Sequence, residues 1–355
     1  MDVSDVTKPK YEMGKVSRAF FENVVAKHLG ARRKDVVVGP ANGVDVGVVR
    51  LPDGKALIST TDPIYIVPPY GWERAAWFAF QILASDLTTS GVPPQYITLD
   101  FNLPMGIEDD QIETILRVMD REARRYGAST VTGHTGRYEG CTYPMVGGAT
   151  FLAVAPEDGY VTANMARPGN RILVTKTAAL EATAILANTF PHVLEKTASE
   201  EILQRAQDLF ESMSTVEDAL TAAAVGLRDG GVRAMHDATE YGVRGAVWEM
   251  AQAAGLGVDV DLSKVLVDPA VAATCSAFGM EPLNSISEGT LLIAAEPEGA
   301  EEVLKKLRKK RIPVADIGAF TKRGFPCRDR GGTLVPPARD DFWPAFSRAL
   351  SGEIH

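Results

Sequence analysis

The sequence predicts a two-domain α/β protein, and three observations lead there. At 355 residues and 38.2 kDa the chain is too long for one ordinary hydrophobic core. Apolar strand-like runs alternate with helical patterns along most of its length. The pattern shifts at the turn-forming Arg167-Pro168-Gly169-Asn170, beyond which Ala-rich helices dominate, so the boundary is placed near 160–167. The expected divisions are an N-terminal helix and lead-in (1–35), a first domain (36–162), a second domain (163–325) and a tail (326–355).

The elements follow from local chemistry. Lys15 to Leu29 has Val16, Ala19, Phe20, Val24 and Val25 at helical spacing, with Gly30 as the stop. Val36-Val37-Val38 reads as a strand. The turn Gly39-Pro40-Ala41-Asn42-Gly43 feeds a second strand, and Pro52-Asp53-Gly54 returns the chain through Ala56 to Thr61. Trp72 to Thr89 is a long helix closed by Ser90-Gly91 and Pro93-Pro94, and Gln95 to Leu103 alternates like a strand. Glu108-Asp109-Asp110 opens a helix that runs to about Tyr126, where acidic residues suit the positive end of the helix dipole. Strands follow at Ser129 to Thr132 and Met145 to Ala155.

In the second half, strands are expected at Arg171–Thr175, Val232–Met235, Val258–Asp261, Thr290–Ala295 and Pro313–Phe320. Helices are expected from about Leu180 to Leu227, then at Val243–Ala254, Val271–Phe278 and Glu301–Lys309. The Pro- and Gly-containing last stretch, with one short helix, reads as a tail packed on the surface.

Composition narrows the function. Hydrophobic residues make up 45% and charged residues 23%, as in a folded soluble chain. Lys and Arg total 37 against 46 Asp and Glu, a net charge of −9, which argues against nucleic acid or an anionic membrane as partner. The start Met1-Asp2-Val3-Ser4-Asp5 lacks the basic and apolar regions of a signal peptide. Cys141, Cys275 and Cys327 are odd in number and far apart, which suits reduced thiols, so a cytoplasmic location is expected.

Several polar clusters sit where strands end. Asp45 lies between glycines in Gly43-Val44-Asp45-Val46-Gly47, as turn chemistry or as a ligand. Thr60-Thr61-Asp62-Pro63 ends the second-strand return with two hydroxyls and a carboxylate, as a site or as an Asx turn. Ser85-Asp86 falls in an apolar helix, where a carboxylate is costly unless paired or metal-bound.

Thr132-Gly133-His134-Thr135 follows a short apolar strand, and its His either serves structure or meets a phosphate, metal or proton. His236-Asp237-Ala238-Thr239-Glu240 repeats this grammar, with Asp237 as a site residue or a helix cap. Lys176 after a strand is a solvated lysine or a phosphate contact, and Glu288 joins a site or ends a turn. Carboxylates with Thr hydroxyls suit Mg²⁺ better than zinc. The chain has neither a GxxxxGK[ST] nor a GxGxxG segment.

The ordered set Gly43-Val44-Asp45, Thr60-Thr61-Asp62, Ser85-Asp86-Leu87 with Ser90-Gly91-Val92-Pro93-Pro94, and Thr132-Gly133-His134-Thr135 resembles the AIR synthase superfamily. That group includes aminoimidazole ribonucleotide synthase, thiamine-monophosphate kinase, selenophosphate synthetase and HypE. The resemblance covers roughly Val36 to Phe320. Val174-Thr175-Lys176-Thr177, Asp237-Ala238-Thr239-Glu240-Tyr241-Gly242 and Ser287-Glu288-Gly289 look HypE-like.

The resemblance implies an N-terminal antiparallel sheet with helices that pairs with a second subunit, and a C-terminal mixed α/β sandwich. It implies ATP and Mg²⁺ as cofactors, with Asp45, Asp62 and Asp86 as metal ligands. Asn42, Gly43, Thr60, Thr61, Thr132, Gly133, Thr135 and Lys176 would line the nucleotide, and Asp237, Glu288 and His134 would be the catalytic candidates.

The implied activity is ATP-dependent phosphorylation of an oxygen on a small or peptide-borne acceptor. The rivals are a thiamine-monophosphate-type kinase and a nucleotide-binding scaffold without turnover. Three departures accompany the likeness. His134 stands where the kinase and HypE patterns have Asp, and the chain ends in Ser351-Gly352-Glu353-Ile354-His355 rather than in HypE's cysteine. No Cys-plus-Lys segment of the selenophosphate-synthetase kind precedes Val36.

Overall fold

The computed structural model describes residues 13–354. Among these residues, no helix is long and apolar enough to cross a membrane. The first sheet contains β1 (Val36–Val38), β2 (Gly47–Leu51), β3 (Lys55–Tyr65), β4 (Tyr96–Pro104), β5 (Ser129–Tyr138) and β6 (Met145–Pro156), in the order β1-β2-β3-β6-β4-β5. Its neighbours are antiparallel except β4 and β5, which run parallel because helix α3 (Asp109–Tyr126) carries the chain over the sheet between them.

The short helix α1 (Arg18–Asn23) and a 3₁₀ turn at Val25–Lys27 replace the single helix expected over 15–29. No residue of α1 is buried, so its apolar stripe lacks the packing that would extend a helix in water.

Helix α2 (Trp72–Thr88) is apolar almost all round because it is buried on two sides. Phe80 packs edge-on against Phe151 of the first sheet, whereas Phe78 lies 5.7 Å from Phe210 of the second half. Polar contacts fix the same junction. Ser85 Oγ accepts from Thr215 N at 3.0 Å, and Ser214 Oγ donates to Gln81 Oε1 at 2.8 Å.

The second sheet has the order β13-β12-β9-β11-β7-β10-β8. These strands are β7 (Arg171–Thr175), β8 (Val232–Asp237), β9 (Gly257–Val260), β10 (Leu291–Ala295), β11 (Val314–Thr321), β12 (Arg328–Asp329) and β13 (Gly332–Thr333). All of β8 and β10 is buried, the signature of strands covered on both faces. On one face the core is made with α8 (Gly242–Ala254), and on the other with α7 (Val216–Ala223) and α10 (Pro297–Lys309). A helical layer beside them combines α4 (Leu180–Thr189), α5 (Pro191–Leu194), α6 (Glu200–Asp208), α9 (Pro269–Phe278) and α11 (Phe342–Leu350) with Phe78 of α2.

The tail departs from the expectation of a surface appendage. Phe342 of α11 is buried with Ala345 and Ala349. Just before it, the buried Asp340 accepts backbone N–H groups from Tyr241, Ile286 and Phe342. Proline and glycine in this stretch mark turns, but Phe342, Trp343 and Phe346 that follow pack into the core of the helical layer. Phe342→Ala should therefore cost about 3–5 kcal/mol, far more than a surface change. Chemical unfolding of the variant against the parent checks this.

Candidate functional site

Acidic side chains from five separate segments converge where the two sheets meet, and each feels the charge of at least one of the others. The loop ahead of β2 supplies the first. Gly43 has φ 70°, and a Cβ there would lie 2.8 Å from Glu249 Cβ of α8. Only a glycine lets this loop lean on α8, which carries Asp45 against β8. There Asp45 Oδ1 lies 2.7 Å from His236 Nδ1, and Glu249 Oε2 lies 3.3 Å from His236 Nε2.

Burial works against a charge on His236, but Asp45 and Glu249 outweigh it and hold the imidazole well above its ordinary pKa. Both ring N–H groups then donate to carboxylates. Neither the second oxygen of Asp45 nor that of Asp237 has a hydrogen-bond partner among the described residues, and both are buried. Ligand atoms of Asp45, His236 and Asp237 lie within 4.8 Å of one another. Because His236 is engaged on both nitrogens, the oxygens are the open ligands of that group.

Strand β3 supplies Asp62. It runs on past the expected end at Thr61, so Thr60, Thr61 and Asp62 lie within the strand and alternate in direction. Thr60 Oγ1 donates to Asp86 Oδ2 at 3.0 Å, which ties β3 to α2. Thr61 faces the other way: its hydroxyl donates to Ala149 O at 2.9 Å and accepts from Thr150 Oγ1 at 3.3 Å. Thr61 is therefore removed from the cleft that its neighbours line.

Asp237 ends β8 rather than capping a helix, since α8 starts at Gly242. Leu291 of β10 is its antiparallel partner, which brings the turn carrying Glu288 to the same sheet end. Glu288 N donates to Glu181 Oε2 at 3.0 Å, and Glu288 Oε1 accepts from Gly289 N at 3.2 Å.

Crowding shifts these acids together. Desolvation pushes Asp62 up to about 6, with Lys15 opposing and Glu240 adding to the shift. Asp237 rises to about 7 through desolvation and the charge of Asp45, partly offset by His236 and Lys15. Asp86 is raised well above the ordinary range by desolvation and then by Asp237, Asp62 and Asp45. Glu288 is raised likewise by desolvation, Asp237 and Glu181, and Glu181 itself reaches about 8 chiefly through desolvation.

Other expected site residues lie elsewhere. Thr132, Gly133, His134 and Thr135 do not follow a short strand but sit within the ten-residue edge strand β5. That strand is three spacings, about 14 Å, from β3 in the same sheet. His134 is exposed there, its Nε2 2.5 Å from the Tyr138 hydroxyl and its ring stacked on that tyrosine.

Lys176 is no solvated phosphate donor. Its Nζ donates to Ser214 O at 2.6 Å and Gly289 O at 2.9 Å and pairs with Asp218 at 2.9 Å, which uses all three N–H groups. It fixes the turn that carries Glu288.

Asn42 is half-buried in the loop before Gly43. The sequence reading passed over His236, Glu249, Glu181 and Lys15. The adjacency of His236 to Asp237 at the end of a wholly buried strand is the one local signal for any of them.

The raised acids give a pH dependence with a definite sign. Asp62 and Asp237 keep their protons up to about 6 and 7, whereas an unfolded carboxyl loses its proton near 4. The stability they contribute is complete below about pH 4 and is lost as pH rises through these folded values. In divalent-free buffer, Asp237→Asn should thus gain on the parent by about 1–3 kcal/mol between pH 5 and pH 8. Thermal unfolding at the two pH values measures it, and a pH-independent difference contradicts the assignment.

The sequence and the fold have known relatives. The family model "AIR synthase related protein, N-terminal domain" matches residues 43–154, and its C-terminal counterpart matches residues 167–326. Carbamoyl dehydratase HypE of Escherichia coli K12 is 28% identical over 277 residues, 76% of this chain and 78% of its own length. A crystal structure of hydrogenase maturation protein HypE in complex with ATP superposes with a TM-score of 0.64 at 22% identity, covering 93% of this chain and 97% of its own. The structure of AaThiL complexed with AMPPCP and TMP gives 0.68 at 18% identity, covering 93% and 99%. With both domains matched and the carboxylates of each converging on one cleft, the chain is an enzyme of the AIR synthase related family, HypE-like in sequence.

Proposed function

We propose that this protein uses Mg-ATP to phosphorylate an oxygen of a small or peptide-borne acceptor, in the manner of the HypE-like carbamoyl dehydratases. The observation that carries the reading is the pair of buried, unpartnered oxygens on Asp45 and Asp237, set among carboxylates from both domains. An acidic cleft repels a bare polyphosphate, so it serves a nucleotide only with a hard cation between them. The donor set fits, since carboxylate oxygens and hydroxyls are what Mg²⁺ takes.

Asp45, Asp62, Asp86 and Asp237 would hold Mg²⁺, which supplies neutralisation of phosphate charge in phosphoryl transfer. The chain's own groups do the rest. Thr60 orients Asp86 through its hydroxyl. His236, gripped by Asp45 and Glu249, fixes Asp45 so that its second oxygen faces the cleft. Asp237 thereby moves from catalytic candidate to ligand.

Glu288 is the better proton holder. Desolvation, Asp237 and Glu181 raise its pKa well above the ordinary carboxylate range, and Lys176 pins its turn. As the acceptor oxygen bonds to the terminal phosphorus, the bond to the bridging oxygen breaks and ADP leaves; the phosphorylated product is released, or, from a carboxamide, the oxygen departs as phosphate while the two N–H protons pass to a base and solvent, leaving a nitrile. The relatives named carbamoyl dehydratase, and the HypE structure in complex with ATP, support a carboxamide-type acceptor over other oxygens.

The exposed edge of β5 supports a homodimer. Ten residues long, with Val131 and Tyr138 exposed, it is the kind of edge that pairs with another chain. A second copy would bring Thr132, Gly133, His134 and Thr135 to a nucleotide that they do not reach within one chain.

Three measurements test this reading. Asp62→Asn should weaken Mg-ATP binding by about tenfold or more in calorimetry, and unchanged affinity removes the metal assignment. ADP release should appear with a carboxamide- or carbamoyl-bearing acceptor. Turnover with thiamine monophosphate instead would favour the kinase reading, and binding without turnover on any acceptor the scaffold. Light scattering at micromolar concentration should give twice the chain mass, and a monomer contradicts the dimer.

A further inference from the structure

Lys15 precedes both matched family segments, and its only part in the site so far is its charge beside Asp62 and Asp237. Its ammonium nevertheless reaches the loop beside the site, donating to Thr239 Oγ1 at 2.8 Å and pairing with Glu240 at 3.2 Å. Both partners lie in the loop that follows His236 and Asp237. Glu240, Glu249, Asp86 and Asp237 surround it with negative charge that favours its cationic form. In return Lys15 restrains the upward shifts of Asp62, Asp86, Asp237 and Glu181.

The segment is seated on the second domain. Gly14 has φ 105°, and a Cβ there would come 2.8 Å from the indole Nε1 of Trp343 in α11. Arg18 lies over the ring of Trp248 in α8 at 5.0 Å. The receiving loop is held in turn by Asp340, which accepts from Tyr241 N at 2.6 Å. Backbone and flanking side chains are thus fixed, while two-thirds of the Lys15 side chain stays accessible. A long flexible stem carrying three N–H donors is free to change partners from such a seat.

We propose that Lys15 is a phosphate-binding residue of this cleft that doubles as its counter-cation: it neutralises the carboxylates when no divalent ion is bound, and turns to the terminal phosphoryl oxygens when Mg-ATP enters. The inference rests on the cleft being the Mg-ATP site. Two consequences separate it from a structural role. Lys15 competes with a divalent cation for the same carboxylates, so removing it tightens binding of the metal alone. It meets the terminal phosphoryl group, so removing it weakens ATP more than ADP.

The experiment compares the full chain with Lys15→Ala, Lys15→Arg and Gly14→Val. The last keeps the ammonium but crowds Trp343 and unseats the segment. Mn²⁺ alone, followed by electron paramagnetic resonance, should bind Lys15→Ala about three- to tenfold more tightly than the parent. Calorimetry should show Mg-ATP weakened about tenfold and Mg-ADP by less than about twofold, with Lys15→Arg recovering most of the ATP affinity and Gly14→Val resembling Lys15→Ala.

An unchanged ratio of ATP to ADP affinity in Lys15→Ala, or Mn²⁺ bound no more tightly, overturns the proposal. A parent protein that binds no Mg-ATP overturns the reading of the cleft itself, and the inference with it. That failure is visible before any variant is made.

Discussion

The approach of Asp45, Asp62, Asp86, Asp237 and Glu288 within one recessed cleft sets the terms for the surrounding structure. Two like charges about 5 Å apart cost about 3 kcal/mol at an effective dielectric of 20, and ligand atoms of Asp45 and Asp237 lie within 4.8 Å of one another. A folded chain contains that repulsion by protonation, by counter-charge or by a bound cation. All three means are legible here. The acids are shifted upward, His236 is held as a cation between Asp45 and Glu249, and two carboxylate oxygens are left open. A structure selected for stability alone would have replaced such a cluster by apolar packing.

Rigidity in the scaffold makes that arrangement possible. Helix α2 is shared by both cores, with Phe80 in one and Phe78 in the other, and Asp86 lies near its end. Ser85 and Gln81 reach residues 214 and 215 on the far side, so the helix that presents Asp86 also sets how the domains meet. Lys176 and Asp340 do the same for the second domain: each spends its hydrogen bonds holding a loop that carries site residues.

Much of the fold was open to reading because its signals are periodic. The buried strands Arg171–Thr175 and Leu291–Ala295 are continuous apolar runs, and α3 carries acids in its first turn and arginines in its last. The ends of β3 and β5 were misread for a shared reason. Thr and Gly look like loop residues, yet within a sheet their backbone bonds are satisfied by β6 and β4, and that is a tertiary fact.

The site was partly legible. Asp45, Asp62, Asp86, Asp237 and Glu288 stand out as carboxylates in apolar or glycine-rich surroundings. Thr61 and Lys176 were misplaced because only strand direction and the carbonyls at Ser214 and Gly289 decide where they point. Lys15 carried no local signal, since its partners lie more than two hundred residues away.

On the proposed function, the converging carboxylates accept a nucleotide only through a divalent cation. Calorimetric titration of the unmodified protein with AMPPCP, once with Mg²⁺ and once with excess EDTA, tests it most directly. Binding should be present with Mg²⁺ and be lost, or weakened at least about a hundredfold, in EDTA. Equal affinity in the two buffers would contradict the account.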